Sequence, residues 1–312
     1  MSFVSIAFLA LLMIVVPLYY ILPQKFRWIL LLTANCIFYG YYDFSLLILL
    51  AFTVLTSYGA ALLIERSKSV MEKRIYLIVA LVICLGVLIV FKYLNFLLNS
   101  GISIANWFGA EIDPIMLDLV LPVGISFYTF QTVAYVIDVY NGIMKAEKHF
   151  GYYALFVTFF PQLVAGPIEK AQNLLPQFRQ EHKLEFKNFK QGFALMAGGF
   201  IKKVVVADLL AQLVNAVYNA PDISSLSGLS VLVATVLFFI QIYCDFSAYS
   251  DIAIGCAQLL GIKLMTNFNK PFSSQTVTEF WSRWHVSLTD CFNEYIYLPL
   301  TYKTIGKKHL TF

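Results

Sequence analysis

The stretch from Thr276 to Leu300 sets one histidine among aromatic and charged side chains. Thr276 and Glu279 have capping-box spacing, which predicts a helix that begins there. Four apolar or aromatic side chains recur at offsets that share one helix face: Trp281, His285, Leu288 and Phe292. Histidine titrates near neutral pH and so suits proton transfer, but a lone histidine on an apolar face is more often structural. The pattern predicts an amphipathic helix at, or dipping into, the cytoplasmic side of a membrane and leaves both roles of His285 open.

Carboxylates occupy a second stretch, from Gln241 to Asp251, inside a long apolar block. Asp245, Tyr249 and Asp251 help to make it the most polar part of any such block. Charges within a membrane span are costly, so this helix is expected to face protein or a water-filled cavity instead of lipid. It either lines a substrate path or ties helices together by hydrogen bonds.

Lysines interrupt a third block, residues 191–218. Lys202 and Lys203 lie near its middle, and Asp208 follows. We interpret the lysines as a helix end whose side chains extend to the membrane interface, with the two preceding glycines marking a break. Buried ion pairing is the alternative.

The composition excludes a soluble globular domain. The 312 residues are 60% hydrophobic and 13% charged, with a mean hydropathy of +0.75, whereas soluble domains carry about 25% charged residues. The net charge of +4 is small and spread between apolar blocks, so no nucleic-acid partner is expected. The five cysteines lack metal-ligand spacing, so no metal site is expected. These features predict an all-α, polytopic transmembrane protein in contact with the lipid bilayer.

Seven apolar blocks are drawn as membrane spans, since a helix needs about 20 residues to cross a bilayer. They are residues 3–22, 28–42, 45–64, 75–98, 116–140, 191–218 and 228–262. The last is long enough for two helices or one sharply tilted helix. The run 151–167 contains Pro161 and Pro167, and because lipid cannot replace the backbone donor that proline removes, it is predicted to be a re-entrant segment buried in protein. Residues 1–312 are predicted to form one integral membrane domain.

Basic residues are concentrated in alternate loops. The loops after the first, third and fifth spans and the region 168–190 carry most lysines and arginines, whereas the loop at Asp43 and the stretch 99–118 carry neither. The positive-inside rule then puts the amino terminus outside the cytoplasm.

Seven stretches resemble, in order, motifs of a known family. They are residues 121–131 (LPVGISFYTFQ), 135–140 (YVIDVY), 159–168 (FFPQLVAGPI), 201–208 (IKKVVVAD), 243–251 (YCDFSAYSD), 267–271 (NFNKP) and 280–288 (FWSRWHVSL). The family is the membrane-bound O-acyltransferases. The likeness is greatest to the alginate O-acetyltransferase branch, which also includes peptidoglycan O-acetylating and teichoic acid D-alanylating relatives.

The resemblance implies an MBOAT-like ring of helices around a central funnel that is open to both membrane faces. It implies acyl transfer from a cytoplasmic thioester, such as acetyl-CoA or an acyl carrier thioester, to an extracellular polysaccharide or cell-wall polymer, without a bound cofactor. In relatives of this branch the acyl group passes to a secreted or anchored partner enzyme, or onto the polymer. The resemblance therefore implies a periplasmic or extracellular acetyltransferase partner and a location in the bacterial cytoplasmic membrane.

The resemblance also assigns roles to residues. His285 matches the first of the family's two characteristic histidines and is expected to assist proton transfer from the acceptor hydroxyl. The residues expected to shape that site or line the substrate channel are Arg283, Trp284, Asp245, Tyr249 and Asp251.

The chain departs from the family pattern beyond His285. The second, near-invariant histidine of the family lies in a Trp-His-Gly motif, and the later histidine here, His309, lies instead in a basic and polar stretch. The stretch 289–294 also lacks the tryptophan and arginine expected in this branch. The resemblance thus implies a carboxy-terminally truncated member, and we expect the 312-residue chain alone to transfer no acyl group.

Other functions stay open. One is D-alanyl transfer to teichoic acid. Another is transport, because transporters also use broken helices and intramembrane charges, although no repeated halves are visible here. A third is a non-catalytic scaffold that recruits a periplasmic partner.

Overall fold

The computed structural model describes residues 1–41, 43–164, 166–222 and 226–305, and side chains as far as Thr301. Every regular element in those ranges is a helix, which confirms the all-α prediction. The first helices are α1 (Ile6–Ile21), α2 (Gln24–Gly40), α3 (Ser45–Arg66), α4 (Val70–Leu88), α5 (Leu94–Trp107) and α6 (Ile125–Tyr140). The next are α7 (Phe150–Thr158), α8 (Phe160–Leu163), α9 (Ala171–Arg179), α10 (Phe186–Ile201), α11 (Asp208–Tyr218) and α12 (Gly228–Leu259). The last are α13 (Val277–Arg283), α14 (Val286–Phe292) and α15 (Leu298–Ile305).

Three continuous helices of the described residues are long and apolar enough to cross a membrane. They are Ser45–Arg66, Val70–Trp107 and Gly228–Leu259, and the apolar helix Ile6–Ile21 is shorter. The block 228–262 is therefore one helix and not two. The predicted span 116–140 was wrong at its start, because residues 110–122 form no regular element and α6 begins only at Ile125.

Gly124 explains where α6 begins. This residue has φ = 78°, and a Cβ atom on it would lie 2.2 Å from the carbonyl oxygen of Leu163. Glycine alone adopts such a φ without strain and leaves room for that close approach. The amino terminus of α6 is thus held against the end of α8.

Residues 150–163 form two short helices broken at Phe159. Nearly all of their side chains are buried, and Asn35 of α2 stabilises the break. The Asn35 amide donates to Thr158 Oγ1 at 3.0 Å, and its Oδ1 accepts from the Phe160 N–H at 2.9 Å. The prediction that this proline-containing run is buried in protein is confirmed.

α10 packs against α12 through glycine. A Cβ atom on Gly255 of α12 would lie 2.6 Å from the carbonyl oxygen of Gly192, and one on Gly199 would lie 2.9 Å from that of Ala248. Small residues that let helix backbones approach closely are typical of membrane-helix interfaces.

The basic loops meet at one end of the helices. Gln24 donates to the carbonyl oxygens of Phe178 and Gln180 at 3.2 and 2.7 Å. Glu65 accepts from the N–H of Ala146 at 2.9 Å. We call this end the basic face; it comprises residues 22–27, 65–74, 141–149, 168–190 and 260–264.

Candidate functional site

The predicted helix through residues 276–300 begins as expected but does not continue. Thr276 caps α13, accepting from the N–H of Glu279 at 3.1 Å, while Glu279 accepts from the N–H of Gln275 at 2.8 Å. The helix then stops at Trp284, and His285 has left-handed dihedral angles, φ = 45° and ψ = 52°. The prediction of a single amphipathic face was therefore wrong, since one left-handed residue turns the chain out of the helical path.

Asn267 holds this break in place. Its backbone carbonyl accepts from the N–H of Val286 at 2.9 Å. Its side-chain Oδ1 accepts from the Ser287 hydroxyl at 2.7 Å, and its amide donates to Ser250 Oγ of α12 at 3.3 Å. Asn267 is buried, so these bonds replace water that is excluded from the site. The loop before α13, the turn at His285 and α12 are thereby joined at one point.

Three phenylalanines surround the His285 ring. Phe246 of α12 meets it edge-on with centroids 4.7 Å apart, and Phe127 of α6 lies at 6.2 Å. Phe268 lies nearly parallel to it at 6.5 Å. The Nε2 atom is buried and has no hydrogen-bond partner within the described part of the chain. Because buried polar atoms are almost always hydrogen-bonded, such an atom is a candidate contact for a substrate.

Trp284 packs in an aromatic cluster beside the histidine. Its ring is nearly parallel to that of Phe239 at 6.0 Å and to that of Phe280 at 5.4 Å. Phe268 meets it edge-on at 5.2 Å, and Tyr243 lies at 5.9 Å. The cluster fixes the orientation of the tryptophan and so of the adjacent turn.

Arg283 lies on the other side of the break. Its guanidinium group forms a 2.6 Å ion pair with Glu279, one turn earlier in α13. Its carbonyl oxygen accepts from the N–H of Asn269 at 2.9 Å. The guanidinium is about one-third exposed, so Arg283 combines a structural backbone contact with an accessible charge.

The depth of His285 follows from the helices that contact it. Phe246 lies thirteen residues before Leu259, whose carbonyl accepts from Tyr20 near the basic face. Phe127 lies thirteen residues before Tyr140, where α6 ends at the same face. At about 1.5 Å per residue, these two helix segments are about 20 Å long, so His285 lies at most about 20 Å from the basic face. That depth lies within a hydrocarbon core of about 30 Å.

Lys202 and Lys203, which directly follow α10, are paired with carboxylates and do not mark a helix end. Residues 202–207 form a π-helix that joins α10 to α11 without a break. Lys202 forms a 2.6 Å ion pair with Asp251. Lys203 bridges Asp245 and Asp208 at 2.7 and 2.8 Å. The interpretation as snorkelling lysines after a break at Gly198 and Gly199 was therefore wrong; the wide turn of the π-helix directs both lysines to carboxylates.

Asp245 and Asp251 are not brought together with His285. Phe239, Tyr243 and Phe246 share the face of α12 that meets the histidine turn. The aspartates flank the opposite face, where α12 packs on α10. Tyr249 lies beside the same ion pairs, with the Lys203 ammonium 5.4 Å from its ring centroid. These three residues thus form a second cluster at the α10–α12 interface.

A third polar cluster ties the last helices to the basic face. Asp138 of α6 is buried and accepts from the Tyr295 hydroxyl at 2.9 Å and from Gln172 at 3.3 Å. Lys170 and Glu294 form a 2.5 Å ion pair beside it. Nearby Glu169 accepts from the N–H of Met265, and burial raises the pKa of this carboxyl.

An open groove of about 450 Å³ runs along α13 and α14. Its lining includes Val277, Trp281, Ser282, Val286, Asp290 and Asn293. It begins one residue from His285, so a ligand in the groove would lie next to the histidine turn.

Sequence reasoning missed several residues of the site. Asn267 and Asp138 lie in stretches that carry the family resemblance, which was a signal that they matter but did not indicate what they bind. Phe127 and Phe246 belong to helices that are distant in the sequence, and nothing in the local pattern links them to His285.

Residues 33–311 match the sequence profile of MBOAT, the membrane-bound O-acyltransferase family. The chain is 38% identical to the probable alginate O-acetylase AlgI of Azotobacter vinelandii over 91% of this chain and 56% of that protein. It is 34% identical to the peptidoglycan O-acetyltransferase of Helicobacter pylori over 86% of this chain and 55% of that protein. A teichoic acid D-alanyltransferase of Streptococcus thermophilus is 30% identical over 57% of this chain and 43% of that protein. The chain spans about half the length of these relatives.

Proposed function

This chain belongs to the membrane-bound O-acyltransferase family, and on that premise we propose that it serves in O-acetylation of an extracellular polysaccharide or cell-wall polymer. The acyl donor is a thioester on the cytoplasmic side, acetyl-CoA or an acyl carrier thioester. The observation that carries the proposal is the position of His285, within about 20 Å of the basic face, with a buried Nε2 atom that lacks a partner among the described residues.

In the proposed reaction, His285 acts as a general base. Its neutral imidazole takes the proton of the acceptor hydroxyl as the hydroxyl oxygen attacks the thioester carbonyl carbon. The carbon–sulfur bond then breaks, and the imidazolium returns the proton to the leaving thiolate. The products are the O-acetyl ester and the free thiol.

The residues beside His285 have supporting roles in this proposal. The aromatic cluster around Trp284 excludes water, which would otherwise compete with the acceptor. The accessible guanidinium of Arg283 lies at the edge of the turn and is suited to a negatively charged part of the donor.

Asp245, Tyr249 and Asp251 have a positioning role in this proposal. Their ion pairs and ring contact join α12 to the π-helix that follows α10, and α12 carries Phe246, which contacts His285. The proposed substrate channel therefore depends on them through the placement of α12.

We further propose that residues 1–312 form one domain in the bacterial cytoplasmic membrane, with the basic face in the cytoplasm and the amino terminus outside it. One apolar core that draws on residues from Phe3 to Leu264 supports the single domain. The charge of the loops supports the orientation, since the opposite loops contain Asp43, Glu111 and Asp113 without lysine or arginine. A periplasmic acetyltransferase is the proposed partner at that opposite face.

The experiment is a replacement in a longer relative. The matching amino-terminal part of the Azotobacter vinelandii protein is exchanged for this chain, and the acetyl content of the secreted alginate is measured. We expect acetylation by the chimaera and a loss of about 100-fold or more with His285→Asn, the range typical of a general base. His149→Asn is the matched control, because asparagine can also cap α7 as His149 does.

Full acetylation by the His285→Asn chimaera would contradict the proposal. Labelled D-alanine on the polymer, with no acetyl, would instead support the teichoic acid alternative. For the 312-residue chain alone we expect no transfer, and turnover that disappears with His285→Ala would overturn that expectation. Solute uptake into proteoliposomes without any donor would favour a transporter, and partner binding without transfer would favour a scaffold.

A further inference from the structure

α5 and the chain that follows it form a hairpin with an unusual set of hydrogen bonds. After a turn at Gly109, residues 110–121 return along α5 in irregular, extended form. Three asparagines of α5 each donate to the carbonyl and accept from the N–H of one residue of the returning segment, all at 2.9 or 3.0 Å. The pairs are Asn95 with Leu117, Asn99 with Ile115, and Asn106 with Ile112. We call residues 94–121 the asparagine hairpin.

The spacing of the asparagines makes this ladder possible. They recur at offsets of four and seven, so they lie on one face of α5. A side-chain amide carries one carbonyl and one NH₂ group, which match the acceptor and donor needs of a peptide unit. The polar stripe of α5 therefore satisfies both backbone groups of three residues of the returning segment, Ile112, Ile115 and Leu117.

The surface that remains is largely apolar. None of the residues of α5 is buried. The most exposed apolar side chains are those of Phe96, Trp107, Phe108 and Met116, which are 68 to 82% exposed. A loop in water usually exposes polar side chains and keeps its backbone groups solvated at the surface. A non-helical segment in contact with lipid must instead have its backbone groups satisfied internally.

The length of the helix before the hairpin gives its depth. Val70–Trp107 is a continuous helix of 38 residues, about 57 Å long at 1.5 Å per residue. It starts at the basic face, and a hydrocarbon core is about 30 Å thick. Residues 89–93 form a π-helix, and Tyr93 departs from helical geometry with φ = −119°, a usual cause of a bend. α5 thus begins at the opposite edge of the hydrocarbon core.

We propose that the asparagine hairpin lies in the interface of the membrane leaflet opposite the basic face, with Trp107, Phe108 and Met116 in contact with phospholipid. Its apolar surface continues the surface of the membrane-spanning helix α4. Tyr93 and Trp107 fit the aromatic belt at such an interface. Glu111 and Asp113 lie near the turn, exposed, and reach the headgroup level. The asparagine ladder supports this position, because it pairs backbone groups of the extended segment that would otherwise need water.

The test measures the surroundings of Trp107 in the full chain, reconstituted in phosphatidylcholine nanodiscs. The wild type is compared with Trp107→Phe, and the difference between their fluorescence isolates Trp107. We expect lipids brominated near the headgroup to quench this component at least twofold, and aqueous iodide to quench it little. Trp28→Phe is the control, because Trp28 packs on His149 at the basic face.

Quenching by iodide without quenching by brominated lipid would overturn the proposal, since the hairpin would then face water. Protection from both quenchers would also overturn it, because protein would then cover Trp107. The ladder is tested separately by hydrogen exchange of residues 110–118 in Asn99→Leu. We expect at least tenfold faster exchange than in the wild type and no change in Asn188→Leu, because the Asn188 amide lies in α10 and donates to Glu185, three residues earlier. Unchanged exchange in Asn99→Leu would show that the ladder does not hold the segment.

Discussion

The ring of Phe246 meets the ring of His285 edge-on, with their centroids 4.7 Å apart. This contact joins α12 to the turn between α13 and α14. It orients the imidazole of His285, a residue whose backbone is left-handed. The histidine is thus positioned by helices that are forty to one hundred and sixty residues away in the sequence. Its environment depends on how α6, α12 and the loop at Asn267 pack together.

Removal of the Asn267 side chain should destabilise the site. Asn267→Ala leaves the Ser287 hydroxyl and Ser250 without their partner, and a buried group without a partner costs about 1–3 kcal/mol. We expect a lower melting temperature in detergent. Asn269→Ala is the matched control, since it keeps the backbone N–H that donates to Arg283. Equal melting temperatures for the two variants would show that Asn267 does not hold the turn.

The left-handed backbone of His285 should discriminate among substitutions. Asparagine tolerates φ near 45°, whereas a β-branched residue is strained there. We therefore expect His285→Asn to melt near the wild-type temperature and His285→Val to be less stable by about 1–2 kcal/mol. Thermal unfolding of the two purified variants measures the difference. If valine were tolerated as well as asparagine, the turn would not be left-handed in the protein.

The ion pair of Lys202 with Asp251 should respond to charge reversal. Lys202→Asp sets two carboxylates side by side within the helix pair, and Asp251→Lys does the same with two ammonium groups. Each single change should cost about 3 kcal/mol or more, because a desolvated charge loses its partner. The double variant restores a pair and should recover most of the melting temperature. Purely additive losses would mean that the two side chains do not interact.

Gly124 should tolerate no side chain. A comparison with Gly142 separates the effect of the positive φ from that of the close approach to Leu163. Gly124→Ala meets both a positive φ and the carbonyl oxygen of Leu163, whereas Gly142 has φ = 74° with no atom within 4 Å of a new Cβ. Gly142→Ala should therefore cost only the backbone strain, about 1–2 kcal/mol. Gly124→Ala should cost clearly more, since α6 must move away from α8. Unfolding temperatures decide this, and equal losses would mean that the close approach is absent.

The sequence alone determined the environment and the family. Scarce charge and long apolar blocks require lipid around the helices, and that requirement holds wherever each block lies relative to the others. The proline run at residues 151–167 could be read as buried for the same local reason. The capping residue Thr276 was likewise visible, because its partner lies three residues away.

Tertiary structure decided which polar residues meet. Lys203 and Asp245 are more than forty residues apart, so their pairing depended on the close packing of α10 on α12, which glycines allow. The left-handed turn at His285 was also invisible locally, because the bonds that stabilise it come from Asn267. A helical sequence pattern indicates only the conformation that neighbouring residues favour. The geometry of a buried site depends instead on the distant groups that satisfy its backbone and charges.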